Sequence, residues 1–276
     1  MAWCGTCCAA FAPDIRFHGR LIRRSYGAGV RSRILILAAL TLVVAACGGD
    51  DEPNADVTAP YELPQSDESV ELDPADFVRT IDNTYWPMAP GSRWVYREVD
   101  ADGSRQRVEV TVTNRTKVIL GIPATVVHDR VTEDGELVED TEDWYAQDKW
   151  GGLWYLGEDT TEYENGKPAG KHGSWEAGVD GAQPGLIIPP SPEVGMSYRQ
   201  EFYAGEAEDL GRILSLDELA EVPFGSYDEV LMTRDWTPLE PDVLEHKFYA
   251  KGVGPVLELG LSGDVGREEL IRFTRG

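Results

Sequence analysis

The stretch Asp102–Val112, DGSRQRVEVTV, joins a tight-turn dipeptide to an alternating run of apolar and polar residues. Successive side chains of a β-strand point to opposite faces, so Val108, Val110 and Val112 share one face and the polar residues between them share the other. Asp-Gly favours a two-residue hairpin turn, because glycine accepts the positive φ that such a turn requires. The stretch therefore predicts an antiparallel hairpin with one buried face.

The same pattern recurs through the rest of the chain. Asp134-Gly135 and Asn165-Gly166 are further turn dipeptides between candidate strands. The remaining strands are predicted over residues 94–99, 117–120, 125–131, 137–146, 153–157, 228–236, 243–250, 256–261 and 269–274. A sheet with this many strands tends to curl or to split into two layers. We therefore predict a mainly β fold, a curved antiparallel meander sheet or incomplete barrel, with a β-sandwich as the alternative.

One or two short helices complete the prediction. Asp73 is a typical N-cap residue and Pro74 suits the first helical position, so a helix is expected to run from Asp73 through Thr80. Ala207–Leu216 is the second candidate helix.

A long segment, residues 168–197, is rich in glycine and proline and predicts no regular element. Loops of this length are uncommon in compact domains and are often functional. Its apolar Leu186–Ile188 either forms an exposed tip or tucks under the edge of the sheet.

A second informative stretch is Arg31–Asp50, RSRILILAALTLVVAACGGD. Its arginines form a positive n-region, Ile34–Val44 forms an apolar h-region, and small residues precede Cys47. That order is typical of a bacterial signal peptide that ends in a lipobox. The apolar run is shorter than the about 20 residues that span a bilayer, which argues against an uncleaved transmembrane anchor. We expect Cys47 to be lipidated and to become the first residue of the mature chain.

The chain divides at this cysteine. Residues 1–46 are predicted to be leader and signal peptide. The stretch before the n-region is longer than an n-region normally is, which indicates a translation start near Val30 and a mis-assigned leader over residues 1–29. Residues 47–72 are rich in Asp, Glu, Pro and Ser, so they predict a disordered, lipidated acidic tether. Residues 73–276 predict a single β-rich domain.

The mature region is strongly acidic. The whole chain carries a formal net charge of -24, and the signal region holds mostly arginines, so the acids are concentrated after it. Such a surface repels nucleic acid and anionic headgroups, so we expect no nucleic-acid partner and attachment to the membrane through lipid on Cys47. Cys47 is also the one cysteine left after cleavage, which excludes an internal disulfide.

Aromatic residues are concentrated in Trp144–Tyr155, WYAQDKWGGLWY, which holds three tryptophans. Such rings could stack on sugars or line a cavity for an apolar ligand, and the alternative is that they fill the core. The candidate ligand-binding residues are Trp144, Trp150, Trp154, Tyr155, His172 and Trp175.

Carboxylates are dense just before these tryptophans, over Glu139–Asp143. Carboxylates on one strand face could bind Ca²⁺ with help from another strand, or serve as a glycosidase pair. The sequence lacks the motifs of serine hydrolases, zinc proteases, P-loop proteins and dinucleotide-binding enzymes. We therefore assign no catalytic residue and no metal ligand, keep Ca²⁺ as the one candidate cofactor, and favour a protein that is not an enzyme.

Three segments resemble parts of secreted bacterial lipoproteins of uncharacterised function: Pro87–Tyr96, PMAPGSRWVY; Asp143–Asp159, DWYAQDKWGGLWYLGED; and Gly173–Gly185, GSWEAGVDGAQPG. The resemblance covers roughly residues 77–260 and implies no known reaction. A lipidated tether before a curved antiparallel sheet is also similar, at the level of fold alone, to the lipoprotein carriers of cell envelopes.

These observations predict a surface-anchored lipoprotein that acts as a binding or scaffold module in the bacterial cell envelope. Its ligand would be an envelope lipid, a glycan or a protein. The alternative is an envelope glycan hydrolase that uses paired carboxylates near the tryptophans. We expect export and anchoring to the outer face of the plasma membrane, or to the outer membrane where the cell has two membranes.

Overall fold

The computed structural model describes residues 61–100, 103–263 and 265–276. Cys47, the signal peptide and the predicted translation start lie outside these residues. Within them the chain forms β-strands and one 3₁₀ helix, Pro74–Asp76, and no helix there is long and apolar enough to cross a membrane. The strands are β1 (Phe77–Val78), β2 (Arg93–Val99), β3 (Arg105–Ile119), β4 (Ile122–Glu133), β5 (Glu136–Asp148), β6 (Leu153–Glu164), β7 (Lys167–Gly170), β8 (Trp175–Glu176), β9 (Gly185–Ile188), β10 (Ser197–Arg199), β11 (Leu210–Val222), β12 (Gly225–Trp236), β13 (Leu244–Ala250), β14 (Gly254–Ser262) and β15 (Arg267–Thr274).

All described strands belong to one antiparallel sheet. Their hydrogen-bonded order is β10-β11-β12-β13-β14-β15-β2-β3-β4-β5-β6-β7, with β1 added to β5 and both β8 and β9 added to β6. Most neighbours in this order are also consecutive in sequence, which makes the sheet a meander. The predicted mainly β, antiparallel fold is confirmed, and the described residues do not form the second sheet of a β-sandwich.

Tight turns join the long strands where the sequence predicts them. Asp134 and Gly135 have φ of 50° and 86°, and Asn165 and Gly166 have φ of 51° and 69°, as a type I′ turn requires. Another turn of this kind joins β3 to β4 at Leu120-Gly121, with φ of 51° and 82°. The sequence analysis missed this turn, because leucine is not a residue that indicates positive φ.

The two predicted helices have different outcomes. Asp73 caps a 3₁₀ helix by accepting a hydrogen bond from the Ala75 amide at 2.9 Å, but the helix ends at Asp76 instead of Thr80 because β1 begins there and pairs with β5. The helix predicted over Ala207–Leu216 is wrong. Residues from Leu210 onward form β11, because pairing with β10 and β12 overrides their helical propensity.

Residues 61–72, which the sequence analysis assigns to the tether, pack against the sheet. Tyr61 donates a hydrogen bond to Asp148, and Leu63, Val70 and Leu72 contact the hydrophobic core. These apolar side chains help to hold the segment, because the sheet supplies the surface that they cover.

Residues 168–197 contain short strands, which the sequence did not predict, joined by irregular segments. β7, β8 and β9 all pair with β6. Leu186 and Ile188 are fully buried, so the exposed-tip alternative for Leu186–Ile188 is wrong and the segment tucks under the sheet edge.

The sheet bends until the two ends of the ladder approach each other. β9 extends the β6 end, and Gln183 bridges to Phe202, which lies just beyond β10. At Gly185 the backbone packs directly on the other end of the ladder, since a Cβ there would lie 2.2 Å from the carbonyl oxygen of Gln200. Side chains from strands along the whole ladder therefore face one interior.

Replacing Gly185 with alanine is expected to lower the free energy of unfolding by about 2 kcal/mol, because the added methyl group overlaps backbone atoms. Gly225→Ala is the matched control, since a Cβ there meets nothing closer than 3.6 Å. It should change the free energy of unfolding by less than about 0.5 kcal/mol. Urea denaturation followed by tryptophan fluorescence measures both. Equal stabilities would contradict the close approach of β9 to Gln200.

Candidate functional site

An interior cavity of about 500 Å³ lies inside the bend of the sheet. Its lining comes from β2 to β6, β9, β12 to β15 and the segment between β10 and β11. Small-molecule sites typically occupy roughly 300–1,000 Å³. The cavity adjoins a second depression of about 340 Å³, which includes Leu239 and Glu240 of the β12–β13 loop. Four residues line both: Glu201, Asp209, Asp235 and Lys247. Since Leu239 and Glu240 are exposed, this side of the cavity leads to the surface.

Carboxyl groups dominate the polar part of the lining. Among the described residues, the cavity is lined by eight carboxyl groups, a single lysine, Lys247, and no arginine. Glu258 is paired with Glu268, and Glu268 with Glu98, so three acids lie side by side on β14, β15 and β2. Like charges at paired positions repel each other. The eight acids are Glu98, Asp129, Glu158, Glu201, Asp209, Asp235, Glu258 and Glu268.

Several of these acids bind protons more tightly than usual. Burial, followed by repulsion from Glu258, raises the pKa of Glu268 well above its usual range. Burial raises the pKa of Glu258 to about 7, although the attraction of Lys247 opposes the shift. Burial likewise raises the pKa of Asp129 and of Glu201 well above the usual range. Part of the acidic lining is therefore protonated near neutral pH.

Asp143, Tyr155 and Glu158 form a hydrogen-bonded chain at one side of the cavity. The Tyr155 hydroxyl lies 2.7 Å from Asp143 Oδ1 and 3.0 Å from Glu158 Oε2. A tyrosine has one proton to donate, so one of the two carboxyls must also carry a proton. Burial raises the pKa of Glu158 to about 8 and that of Asp143 to about 6. The protonated Glu158 therefore donates to Tyr155, which donates to the Asp143 carboxylate.

Lys247 does not neutralise the acidic lining. Its Nζ lies 3.4 Å from Glu258, 3.7 Å from Glu245 and 3.8 Å from Asp235. Burial by itself would lower the pKa of Lys247, but the neighbouring carboxylates raise it well above its usual range. The lysine stays charged and is shared among three acids, while the acids on β2, β4 and β6 lie on other parts of the cavity wall.

Three polar atoms of the lining are buried without a hydrogen-bond partner in the described part of the chain: Trp86 Nε1, Asp129 Oδ1 and Asp235 Oδ1. Asp235 is only 4% exposed, and its other oxygen accepts a hydrogen bond from Gln200 Nε2 at 3.1 Å. Buried polar atoms in folded proteins are nearly always paired with protein, water or ligand. A ligand with a hydrogen-bond donor would satisfy Asp235 Oδ1.

Aromatic rings form the apolar part of the lining. The ring centroid of Trp86 lies 5.5 Å from that of Tyr145 and 6.1 Å from that of Tyr249, and Tyr145 stacks on Tyr155 at 4.8 Å. Ring faces carry partial negative charge and attract cations. The cavity therefore combines an aromatic surface with an acidic one.

Two of the six candidate residues from the sequence lie at this cavity. Tyr155 lines it, and the indole of Trp175 donates a hydrogen bond at 2.8 Å to Glu201, which lines it. Trp175 therefore orients a carboxyl group of the lining.

The other four candidates lie elsewhere. Trp144 is buried beneath the Lys117 ammonium, 3.2 Å from the ring centroid. Trp154 is buried and donates to Asp148 at 2.8 Å, whereas Trp150 lines a separate surface groove. His172 is exposed and bonded to Glu162 at 2.9 Å. These four residues and the cavity do not form one site.

The acidic run before Trp144 splits between the two faces of β5. Glu142 is ion-paired with Arg115 at 2.7 Å on the outside, while Asp143 is buried beside Tyr155. The two carboxyls therefore cannot flank one glycosidic bond. Across residues 61–100, 103–263 and 265–276, no three acidic, histidine or cysteine side chains are grouped as a metal site requires.

Most of the acidic lining was not predicted from the sequence. A signal for part of it exists, because several of the acids share their strand face with a buried apolar residue two positions away. Examples are Tyr96 with Glu98, Val256 with Glu258, and Leu270 with Glu268. An acid that continues a buried face in this way, on several adjacent strands, indicates a polar interior.

No protein-family model matches the chain, and no curated protein matches its sequence. Among solved structures, a candidate exported protein with a YmcC-like fold from Bacteroides fragilis is 12% identical, with a TM-score of 0.41 over 70% of this chain and 100% of that chain. A candidate lipoprotein from Parabacteroides distasonis is 11% identical, with a TM-score of 0.41 over 70% of this chain and 99% of that chain. The function is therefore argued from the residues of this chain.

Proposed function

We propose that this protein is an exported lipoprotein, anchored to the outer face of a membrane through Cys47, whose β domain binds a small ligand in the interior cavity. The observation that carries the proposal is the cavity itself. Protein interiors are normally close-packed, with few voids larger than a water molecule. A space of about 500 Å³ lined by unpaired polar atoms fits a binding site better than a packing defect.

The position of the cavity selects among the ligand classes that the sequence leaves open. A folded protein partner cannot enter an interior of this size, so the cavity favours a small molecule or one end of a lipid. Glu142 and Asp143 face opposite sides of β5, so these two acids cannot serve as the carboxylate pair of the hydrolase alternative. Lipid on Cys47 would keep the β domain at the membrane, as suits a carrier or receptor.

The test is mass spectrometry of the full chain, exported by a bacterial host through its own signal and extracted in detergent. The denatured protein is expected to have the mass of residues 47–276 plus lipid on Cys47. The native protein should carry a further discrete mass that leaves on denaturation. An unlipidated chain would contradict the anchor, and a native protein without added mass would contradict the binding role.

A matched pair of variants places the ligand in the cavity. Val110→Phe puts a larger side chain into the lining from β3, whereas Val118→Phe adds the same volume at a position on that strand that is 68% exposed. The bound mass should be lost only in Val110→Phe. Circular dichroism of both variants shows that each has folded. Equal retention of the ligand by folded forms of both would place it outside the cavity.

A further inference from the structure

We propose that the ligand of the cavity is an organic ammonium ion with an apolar body, a conclusion that rests on the binding role proposed above. The charges of the lining, its unpaired atoms, its aromatic surface and the spacing of its acids each support this ligand class.

The charge of the lining excludes an anion. Eight carboxyl groups face the cavity with one lysine among them, and that lysine is already shared by Glu258, Glu245 and Asp235. An anionic headgroup would be repelled by the lining acids that remain ionised. A cation, by contrast, relieves the repulsion between paired acids such as Glu258 and Glu268.

The unpaired atoms specify a hydrogen-bond donor. Among the described residues, Asp235 Oδ1 is a buried acceptor without a hydrogen-bond partner. Asp235 is 4% exposed, so bulk water does not solvate its carboxylate. An ammonium group offers N–H donors together with positive charge, and charge-assisted hydrogen bonds to carboxylates are the stronger kind.

The aromatic surface accounts for the apolar body. Trp86, Tyr145 and Tyr249 present neighbouring rings to the same cavity. Such rings can pack against hydrocarbon and can also receive an ammonium on their faces. The Trp86 indole N–H adds a donor beside this surface, which a hydroxyl or carbonyl oxygen on the ligand would accept.

The spacing of the acids argues for an organic cation over a bare metal ion. A divalent metal requires several oxygen ligands converging within about 2.0–2.6 Å of one point. The lining acids are instead distributed over β2, β4, β6, β12, β14 and β15, and the described residues contain no metal-holding group. A larger, softer cation can contact acids on different strands at once.

The test measures binding of three probes that share one apolar body: 4-phenylbutylamine, 4-phenylbutan-1-ol and 4-phenylbutanoate. Isothermal titration calorimetry at pH 7 uses the detergent-extracted full chain, with detergent alone as the blank. The amine should bind at least about tenfold more tightly than the alcohol, which corresponds to about 1.4 kcal/mol. The carboxylate should show no binding.

Proton release gives a second readout. Burial raises the pKa of Glu258 to about 7 and of Glu158 to about 8, so an ammonium entering the cavity displaces protons at pH 7. The binding heat of the amine should therefore differ between phosphate and Tris buffers, whose ionisation enthalpies differ. The binding heat of the alcohol should be the same in both buffers.

Asp235→Asn tests whether the ammonium group of the ligand donates to Asp235. It keeps the shape of the side chain and removes the charge, so amine affinity should fall about fivefold or more while alcohol affinity is unchanged. Glu164→Gln, at the exposed end of β6, is the control and should change neither.

The outcomes separate this inference from the binding role. Equal affinity for amine and alcohol, preference for the carboxylate, or a neutral or acidic compound released from the native protein would overturn the ammonium assignment and leave the cavity as a binding site. Failure of all three probes to bind, together with a native spectrum without added mass, would overturn both.

Discussion

Replacing Arg199 with methionine is expected to lower the free energy of unfolding by about 4 kcal/mol. Arg199 is 0% exposed. Its guanidinium donates hydrogen bonds to the carbonyl oxygens of Pro184, Ser66 and Glu68, each at 2.7 Å. Methionine fills a similar volume without a donor, and each carbonyl left unpaired costs roughly 1–3 kcal/mol.

The effect is large because this side chain joins parts of the chain that are distant in sequence. Burial lowers the pKa of Arg199 to about 10, so the guanidinium stays charged at neutral pH. Its partners are backbone carbonyls from residues 65–68 and from the residue before β9. The segment 61–72 contains no strand, so it depends on Arg199 and on the Tyr61 contact with Asp148 for its position.

Urea denaturation measures the stability of Arg199→Met, and limited proteolysis after residue 60 reports whether the segment 61–72 detaches. Arg199→Lys should lose about half as much stability, because a single ammonium cannot reach both groups of carbonyls. Arg212→Met, at an exposed position in β11, is the control. A loss below about 1 kcal/mol in Arg199→Met would show that the carbonyls find other partners.

The strands were predictable because their signals are local. Alternation in Val108–Val112 and positive-φ dipeptides such as Asp134-Gly135 depend only on neighbouring residues. Some predicted strands, such as 117–120, are shorter than the observed strands, because pairing with adjacent strands extends the strand beyond its local signal. Residue 117 lies within one strand that runs from Arg105 to Ile119.

Features that depend on distant contacts were not predictable. Residues 61–72 have a polar composition typical of a tether, and nothing in that composition indicates that Arg199 binds their carbonyls. The segment 207–216 has acceptable helical propensity, but its residues from Leu210 onward form a strand because they pair with β10 and β12. The approach of β9 to Gln200 likewise depends on the bend of the whole sheet.

The acidic cavity was missed for a different reason. In alternating strands a charged residue normally marks the solvent face, so Glu98 and Glu268 indicate exposure when each strand is considered alone. These acids instead continue the buried faces of their strands, which the bend of the sheet turns towards the cavity. Only the pairing of β14, β15 and β2 shows that these acids lie side by side facing the cavity.

A second large effect is expected from the buried acids. The ligand-free domain should be more stable at pH 5.5 than at pH 8. Burial raises the pKa of Glu158 to about 8 and that of Glu258 to about 7. A carboxyl whose pKa is higher in the folded state binds more protons folded than unfolded, so stability falls as pH rises. The loss begins above the unfolded pKa of about 4.3 and is complete above the folded pKa.

Acids whose pKa is lowered in the folded state do not cancel this fall in stability with rising pH. Hydrogen bonds and attraction from arginines, acting against burial, lower the pKa of Glu109 and of Glu269. Their contribution to stability is lost only as pH falls below the usual carboxyl range, about 4.3. Between pH 5.5 and pH 8 they remain charged in both states. His172, whose pKa is raised by its hydrogen bond to Glu162, adds to the fall in stability, and His246, whose pKa burial lowers, opposes it, so most of the slope in this window comes from the buried acids.

Glu158→Gln isolates one large contribution to that slope, because glutamine has the shape and donor of the protonated acid and can donate to Tyr155 in its place. The stability advantage of the variant over wild type should be about 3 kcal/mol larger at pH 8 than at pH 5.5. Thermal denaturation across this pH range measures it, and this difference corresponds to about 9 °C in Tm. Glu164→Gln, at the exposed end of the same strand, should follow wild type at every pH. If Glu158→Gln instead loses stability at pH 8, the acid is ionised there and its charge is stabilised within the Asp143–Tyr155–Glu158 chain.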